Sequence, residues 1–311
     1  MRRSISIVLV SLFCIFHESC GTGANRFADN QKAKQEFANC GNSYSLDTTM
    51  EVSGRQGVAT DGNFYYISSS TALYKYDKQG KILLANENPF TRLKLEANHF
   101  GDIDVFNGNI YTGIETFVDG VGKNIQIAVY DATTLQYKYS IPWNRESGQV
   151  EVCGLAVDPE HKRIWMADWV QGHELYCYDL ESHEYVGKVR LTPAPKLQQG
   201  ICYWKGQILI SSDDGDAEKN ESDNIYIADM YPTEDTSSLP DSVPVKLWRT
   251  MSDFIRTGEI EGLTMDARTG NFVVLSNRGA RIILGMPKGF YEGYDKEIHN
   301  IYIYHRETSG K

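Results

Sequence analysis

The sequence predicts an all-β fold and, within that class, a β-propeller of five four-stranded blades closed by an N-terminal strand, with six blades as the alternative. Three observations predict it. A glycine-led hairpin recurs five times at a spacing of about 50 residues, the range of propeller repeats. A tyrosine-rich strand follows each hairpin, and an unassigned β-like stretch at the start matches a strand missing at the end. Composition agrees: 19 Tyr, 12 Phe and 27 Gly against only 9 Pro suit strands joined by tight turns. With 41% hydrophobic and 23% charged residues the chain can fill a core, which rules out a disordered chain and a multi-span membrane protein.

Residues 1–24 read as an address. Arg2 and Arg3 precede an apolar run from Ile5 to Phe16, too short to cross a bilayer as a helix but right for a signal peptide. An extracytoplasmic location follows, either secreted or periplasmic, or lipid-anchored to the envelope. Small residues at Thr22 and Ala24 suit cleavage after Ala24. Alternatively, Ser19-Cys20-Gly21 resembles the end of a bacterial lipobox, with Cys20 as the lipidated terminus; His17 stands where that motif carries an apolar residue. Residues 25–43 read as a polar tether with room for a short helix, residues 44–305 as the propeller and 306–311 as a tail.

Each hairpin pairs a glycine-led strand with a second strand across turn chemistry. The five begin at Gly57, Gly101, Gly154, Gly200 and Gly262, and their turns are Asp61-Gly62-Asn63, Asn107-Gly108-Asn109, Asp158-Pro159, Lys205-Gly206 and Ala267-Arg268-Thr269-Gly270. The third strands are centred on Tyr74, Val129, Cys177, Ile227 and Ile303. Fourth strands follow at Ile82 to Ala85, Tyr137 to Ile141, Tyr185 to Leu191 and Val245 to Trp248. The fifth repeat lacks one because the chain stops soon after Tyr304, and Tyr44 to Val52 supplies it, which closes the ring and removes the open sheet edges. The long stretch between Asp229 and His305 is filled by loops at 230–244 and 278–297, which leaves five blades rather than six.

Several chemistries are excluded or unsupported. A net charge of −10 is wrong for phosphate-rich partners, so nucleic acid is not expected. Cys40, Cys153, Cys177 and Cys202 form neither a CxxC zinc pair nor a dense disulfide framework, and the last three read as small buried strand residues. There is no G-x-S-x-G elbow, no H-E-x-x-H and no phosphate-binding glycine loop.

Candidate site residues follow from blade geometry. The first strand of a blade is innermost, so loops leading into it and out of the second strand share one face. That face collects Gln56, His99, Glu151, Gln199, Glu259 and Glu261 from the first set, and Ser69, Thr112, Asp168, Asp213, Asp214 and Asn277 from the second. A funnel of carboxylates and amides suits Ca²⁺ or another divalent cation; satisfied strand-end residues are the simpler reading. The carboxylates from Asp213 to Asp223 could bind Ca²⁺ directly, although their spacing is not that of an EF-hand and a solvated acidic loop explains them as well. In the 277–297 loop, Arg278, Arg281 and Lys288 with Phe290, Tyr291 and Tyr294 suit an anionic or sugar-like ligand, or else pair with local acids. Trp169 is either a stacking platform or a cover for the channel mouth. His99 and His173 are the two histidines placed near the funnel.

Glu261-Gly262-Leu263-Thr264-Met265-Asp266-Ala267-Arg268-Thr269-Gly270 and Cys153-Gly154-Leu155-Ala156-Val157-Asp158-Pro159 carry a resemblance over residues 44–305. The chain resembles extracytoplasmic propellers of the gluconolactonase and regucalcin kind, and YncE-like and phytase-like repeat proteins. The gluconolactonase resemblance implies a divalent metal held by Glu261, Asn277, Asp168 and Asp214, although that family has six blades. The expected function is a monomeric binding module for a small-molecule, carbohydrate or protein ligand, acting through the funnel and the 277–297 loop and touching a membrane only by a lipid anchor. A metal-dependent lactonase or phosphoesterase-like hydrolase is the alternative.

Overall fold

The computed structural model describes residues 23–118, 121–169, 172–254, 258–283 and 286–307; Cys20 and its lipidation motif lie outside them. After a helix α1 (Gly23–Ala38), strand β1 (Tyr44–Val52) is set aside for the last blade. Blade 1 is β2 (Gly57–Thr60), β3 (Tyr65–Ser68), β4 (Leu73–Tyr76) and β5 (Ile82–Asn86). Blade 2 is β6 (His99–Phe106), β7 (Asn109–Val118), β8 (Val121–Asp131) and β9 (Tyr137–Pro142). Blade 3 is β10 (Gly154–Asp158), β11 (Arg163–Ala167), β12 (Glu174–Asp179) and β13 (Tyr185–Thr192). Blade 4 is β14 (Gln198–Trp204), β15 (Gln207–Ser212), β16 (Asn224–Asp229) and β17 (Ser242–Thr250). Blade 5 takes β18 (Ile260–Met265), β19 (Phe272–Arg278) and β22 (Ile298–Arg306), and β1 pairs antiparallel on β22 as its fourth strand. Between them β20 (Ala280–Ile283) and β21 (Met286–Phe290) form a separate two-stranded hairpin where the sequence suggested a loop.

The protein is a β-propeller. Innermost strands β2, β6, β10, β14 and β18 each pack on the next, and β18 packs back on β2, which closes the five blades into a ring. Their side chains are almost wholly buried, since an inner strand faces neighbouring blades on both sides and needs no polar alternation. In the outer strand β13 exposed positions alternate with half-buried or buried ones, and β5 is exposed or half-buried throughout. The four described cysteines are buried and free, as small apolar fillers.

The repeated glycine has a steric cause. Asp102 lies in the channel axis, with its carboxylate accepting main-chain N–H bonds from Ile103 (2.8 Å) and Ile201 (3.2 Å), and from Val58. A Cβ at Gly262 would stand 2.1 Å from Asp102 Oδ1, and one at Gly57 2.7 Å from it, so both positions exclude side chains. Asp102 therefore ties blades 1, 2 and 4 together through one side chain. Burial pushes its carboxyl well above the usual range, and the N–H donors pull the other way.

The segment before the ring is not the free tether that composition suggested. Helix α1 packs across the face opposite the funnel, and Phe37 sits 6.3 Å from Trp204 and 5.5 Å from Trp248 between ring centroids. Trp248 Nε1 donates to Phe37 O (3.0 Å), and Lys34 Nζ donates to Asp229 and to Tyr231 O, both at 2.7 Å.

Candidate functional site

The register shifts at the funnel end of the inner strands set the site. In β6, Gly101 and Asp102 together oppose one residue of β7. In β18, Glu261 and Gly262 oppose one residue of β19, and in β14 the shift falls at Gln199. Each bulge turns the extra residue away from the sheet plane, which is how a strand re-aims a side chain without ending. The result is a cavity of about 110 Å³ at the channel mouth, whose lining comes from all five blades: Arg55, Gln56 and Ser70; His99 and Phe117; Glu151, Cys153 and Trp169; Gln199; Glu259 and Glu261. Of the residues collected by blade geometry, Gln56, His99, Glu151, Gln199, Glu259 and Glu261 line the cavity, whereas Ser69, Thr112, Asp168, Asp213, Asp214 and Asn277 do not; Trp169 lines it as well.

One wall is ion-paired. Arg55, 19% exposed, donates from Nη2 to Glu259 Oε2 (2.9 Å) and from Nε to Glu297 Oε1 (3.2 Å), with Nη2 3.7 Å from Glu261 Oε1. Asn277 Nδ2 donates to Glu261 Oε1 (2.5 Å) and to Arg55 O (3.1 Å). Burial still pushes Glu261 well above the ordinary carboxylate range, with Arg55 opposing it.

The other wall holds carboxyls without a Lys or Arg partner. Glu151 Oε2 accepts from Trp169 N–H (2.7 Å), Glu115 Oε2 from Val152 N–H (3.2 Å), and Asp168 Oδ2 from the Tyr176 hydroxyl (3.0 Å). His99 and Glu115 are cross-strand partners in blade 2, and His99 Nδ1 lies 3.5 Å from Glu115 Oε1. Glu115 Oε1, His99 Nδ1 and Trp169 Nε1 are buried atoms without a hydrogen-bond partner. Burial raises Glu115 to about 8 and Asp168 to about 7; it also pushes Glu151 well above the ordinary carboxylate range, helped by repulsion from Glu115. Burial, then the Arg55 charge, lowers His99 to about 4. At neutral pH, His99 and Glu115 therefore face each other largely as a neutral imidazole and a carboxylic acid.

The four residues implied as metal ligands do not converge. Glu261 and Asn277 are bonded to each other, with the Arg55 guanidinium beside Glu261 in the place a cation would take. Asp168 stands on the opposite wall, and Asp214 turns outward to Asn224 (3.0 Å) and the Tyr226 hydroxyl (2.5 Å). Among the described residues no group of three or more His, Cys, Asp or Glu is arranged to hold a metal ion. This donor set does not fit the gluconolactonase-type centre, and no step is derived through one.

The cationic loop stands apart from the central cavity, and its Arg281 pairs with a local acid, one of the two readings of the sequence. Arg278 donates to Asn300, and Arg281 pairs with Glu218 while lying 5.6 Å over the Tyr291 ring. Lys288 is exposed on β21. None of the three lines the central cavity; its cation is Arg55. His173 lines a different depression, beside Glu174 and Lys188. The acidic loop satisfies itself, with Asp216 accepting from Glu218 N–H, Lys219 N–H and Lys219 Nζ. Sequence reasoning also missed Glu115, Phe117 and Ser70. Arg55 was signalled only by standing one residue before Gln56.

A larger cavity, about 1110 Å³, lies between α1 and the opposite face. Several of its polar groups are paired, Lys34 with Asp229, His161 with Asp158 (3.0 Å) and Glu160 with the Tyr203 hydroxyl (2.9 Å), while Gln207 Oε1 is buried without a hydrogen-bond partner. The funnel cavity keeps more such atoms at or beside it, His99 Nδ1, Glu115 Oε1 and Trp169 Nε1 among them, and these are costly unless something binds them.

No protein-family model matches the chain, and no curated protein does. Among solved structures, the PQQ-bound aldose sugar dehydrogenase from Streptomyces coelicolor is similar at 12% sequence identity with a TM-score of 0.45, over 84% of this chain and 98% of that one.

Proposed function

We propose that this propeller is an exported binding module that captures a small polar ligand in the cavity at the mouth of its channel. The observation that carries the reading is the convergence of polar and aromatic groups from all five blades on one cavity of about 110 Å³. The β20–β21 hairpin stands beside an adjoining acidic pocket lined by Asp213, Glu218 and Arg281, and contributes its surroundings rather than its floor. The metal-dependent hydrolase expected as the alternative has less support, because Arg55 and Asn277 already hold Glu261.

Gln199→Trp tests the reading by filling the cavity from a half-buried position. Small polar compounds that raise the unfolding midpoint of the wild-type protein by mass action should leave this variant's midpoint unmoved. Undiminished shifts in a folded Gln199→Trp protein would move the site elsewhere, first to the cavity beneath α1.

A further inference from the structure

The two walls of the cavity differ in a way that specifies the ligand. On one, three glutamates share the Arg55 guanidinium. On the other, Glu151 lines the cavity with Glu115 directly behind it: a Cβ built at Gly122 would lie 2.0 Å from Glu115 Oε2 and 3.0 Å from Glu151 Cα. Asp168 completes that group, and no Lys or Arg of the described residues forms an ion pair with any of the three. Glu115 is fully buried, and its Oε1 has no hydrogen-bond partner while facing the imidazole that lines the cavity.

Aromatic rings border the same wall. His99 and Phe117 lie 5.3 Å apart between centroids at an interplanar angle of 32°, and Trp169 follows Asp168 directly. Rings beside carboxylates attract a cation through their quadrupoles, most strongly a diffuse, weakly hydrated one. A hard metal ion is served worse, because one oxygen of each carboxyl already accepts a main-chain N–H or a tyrosine hydroxyl.

Resting on the binding function proposed above, we propose that the ligand enters by an organic ammonium group, seated against Glu151 between Trp169 and the His99–Phe117 pair, its positive charge taking the place of the protons that this group of carboxyls otherwise holds. The ammonium is the missing counter-charge of this wall, as Arg55 is the resident one of the other. Carboxyl groups beside aromatic rings suit a primary or methylated amine, with the rest of its molecule reaching toward the channel mouth.

The test is calorimetric titration of the purified protein with methylammonium, tetramethylammonium and choline chlorides, set against the uncharged carbon isostere of choline and against CaCl₂. At least one ammonium salt should bind with one-site stoichiometry while the isostere does not. Glu151→Gln should weaken it by about tenfold or more, the factor for one lost contact to a charged group. Trp169→Leu should weaken it several-fold with circular dichroism unchanged, which keeps the test decisive if Glu151→Gln folds poorly. Equal binding of the isostere, or of ammonium by folded Glu151→Gln, would overturn the ammonium assignment and leave the binding cavity standing. Ca²⁺ binding that Glu151→Gln abolishes, with no ammonium binding, would overturn it in favour of a metal. If nothing binds and Gln199→Trp changes no ligand response, the binding function falls as well.

Discussion

The two walls of the funnel are built from the same residue type and solve the same electrostatic problem differently. Between blades 5 and 1, Glu259, Glu261 and Glu297 surround Arg55, so charge is compensated inside the chain. Between blades 2 and 3, Glu115, Glu151 and Asp168 find backbone and hydroxyl donors but no Lys or Arg among the described residues, and hold protons instead. A carboxylate taken from water must find a counter-charge or a proton. The first wall is thereby a fixed part of the fold, and the second stays responsive to whatever cation or pH it meets.

Breaking the compensated wall should have the largest effect. Arg55→Met removes the guanidinium shared by the buried Glu261 and the half-buried Glu259 and Glu297 and should cost about 3 kcal/mol of unfolding free energy at pH 7, the low end of the usual penalty for orphaning a buried charge. Urea unfolding measures it, and the deficit should shrink toward pH 5 as the glutamates take up protons. A loss below about 1 kcal/mol would mean the two walls do not differ in kind.

The second wall should show itself in pH dependence. Glu115 and Asp168 titrate higher folded than unfolded, so their contribution is complete below their unfolded pKa values and is lost as pH rises through about 7 and about 8. Stability should therefore fall between pH 5 and 8, by an amount on the order of a few kcal/mol, and Glu115→Gln should flatten that slope. His99 works in the opposite sense: its lowered pKa contributes above its unfolded value and is lost as pH falls toward 4. A slope unchanged in Glu115→Gln would sink the assignment of protons to this wall.

The smallest effect sharpens the comparison from outside. Glu218→Ala removes the exposed partner of Arg281 and should change stability by no more than about 0.5 kcal/mol, because solvent already screens the pair.

Most of the ring was legible in the sequence because its signals are local. Tyr44–Val52 as the closing strand, and the five glycine-led hairpins, follow from alternation and turn residues that lie next to each other in the chain. The ring of residues at the funnel was legible for the same reason, since blade repetition fixes which loop end each one occupies. What escaped depends on contacts between distant segments. Arg55 acquires its role from glutamates some two hundred positions later, and nothing around it announces that. Helix α1 is polar and lacks charged residues suited to its ends; it is held by Phe37 against Trp204 and Trp248, which only the folded ring brings together. Asp214 looked like a ligand because it stands in an acidic run, yet its own blade supplies Asn224 and Tyr226 as partners. Carboxylates that repeat with the blades show where a site is; whether each is free depends on the folded neighbours.

The closure of the ring by β1 on β22 has a mechanical consequence. Tyr44 opposes Arg306 and Val52 opposes His299, so the first and last residues of the pair sit side by side at one end of the ladder. A force applied to the two chain ends meets these hydrogen bonds one rung at a time, as a zipper does, rather than loading all of them together in shear. Under tension the docked helix α1 is met first, and the seam between β1 and β22 then opens from the end where Tyr44 and Arg306 lie.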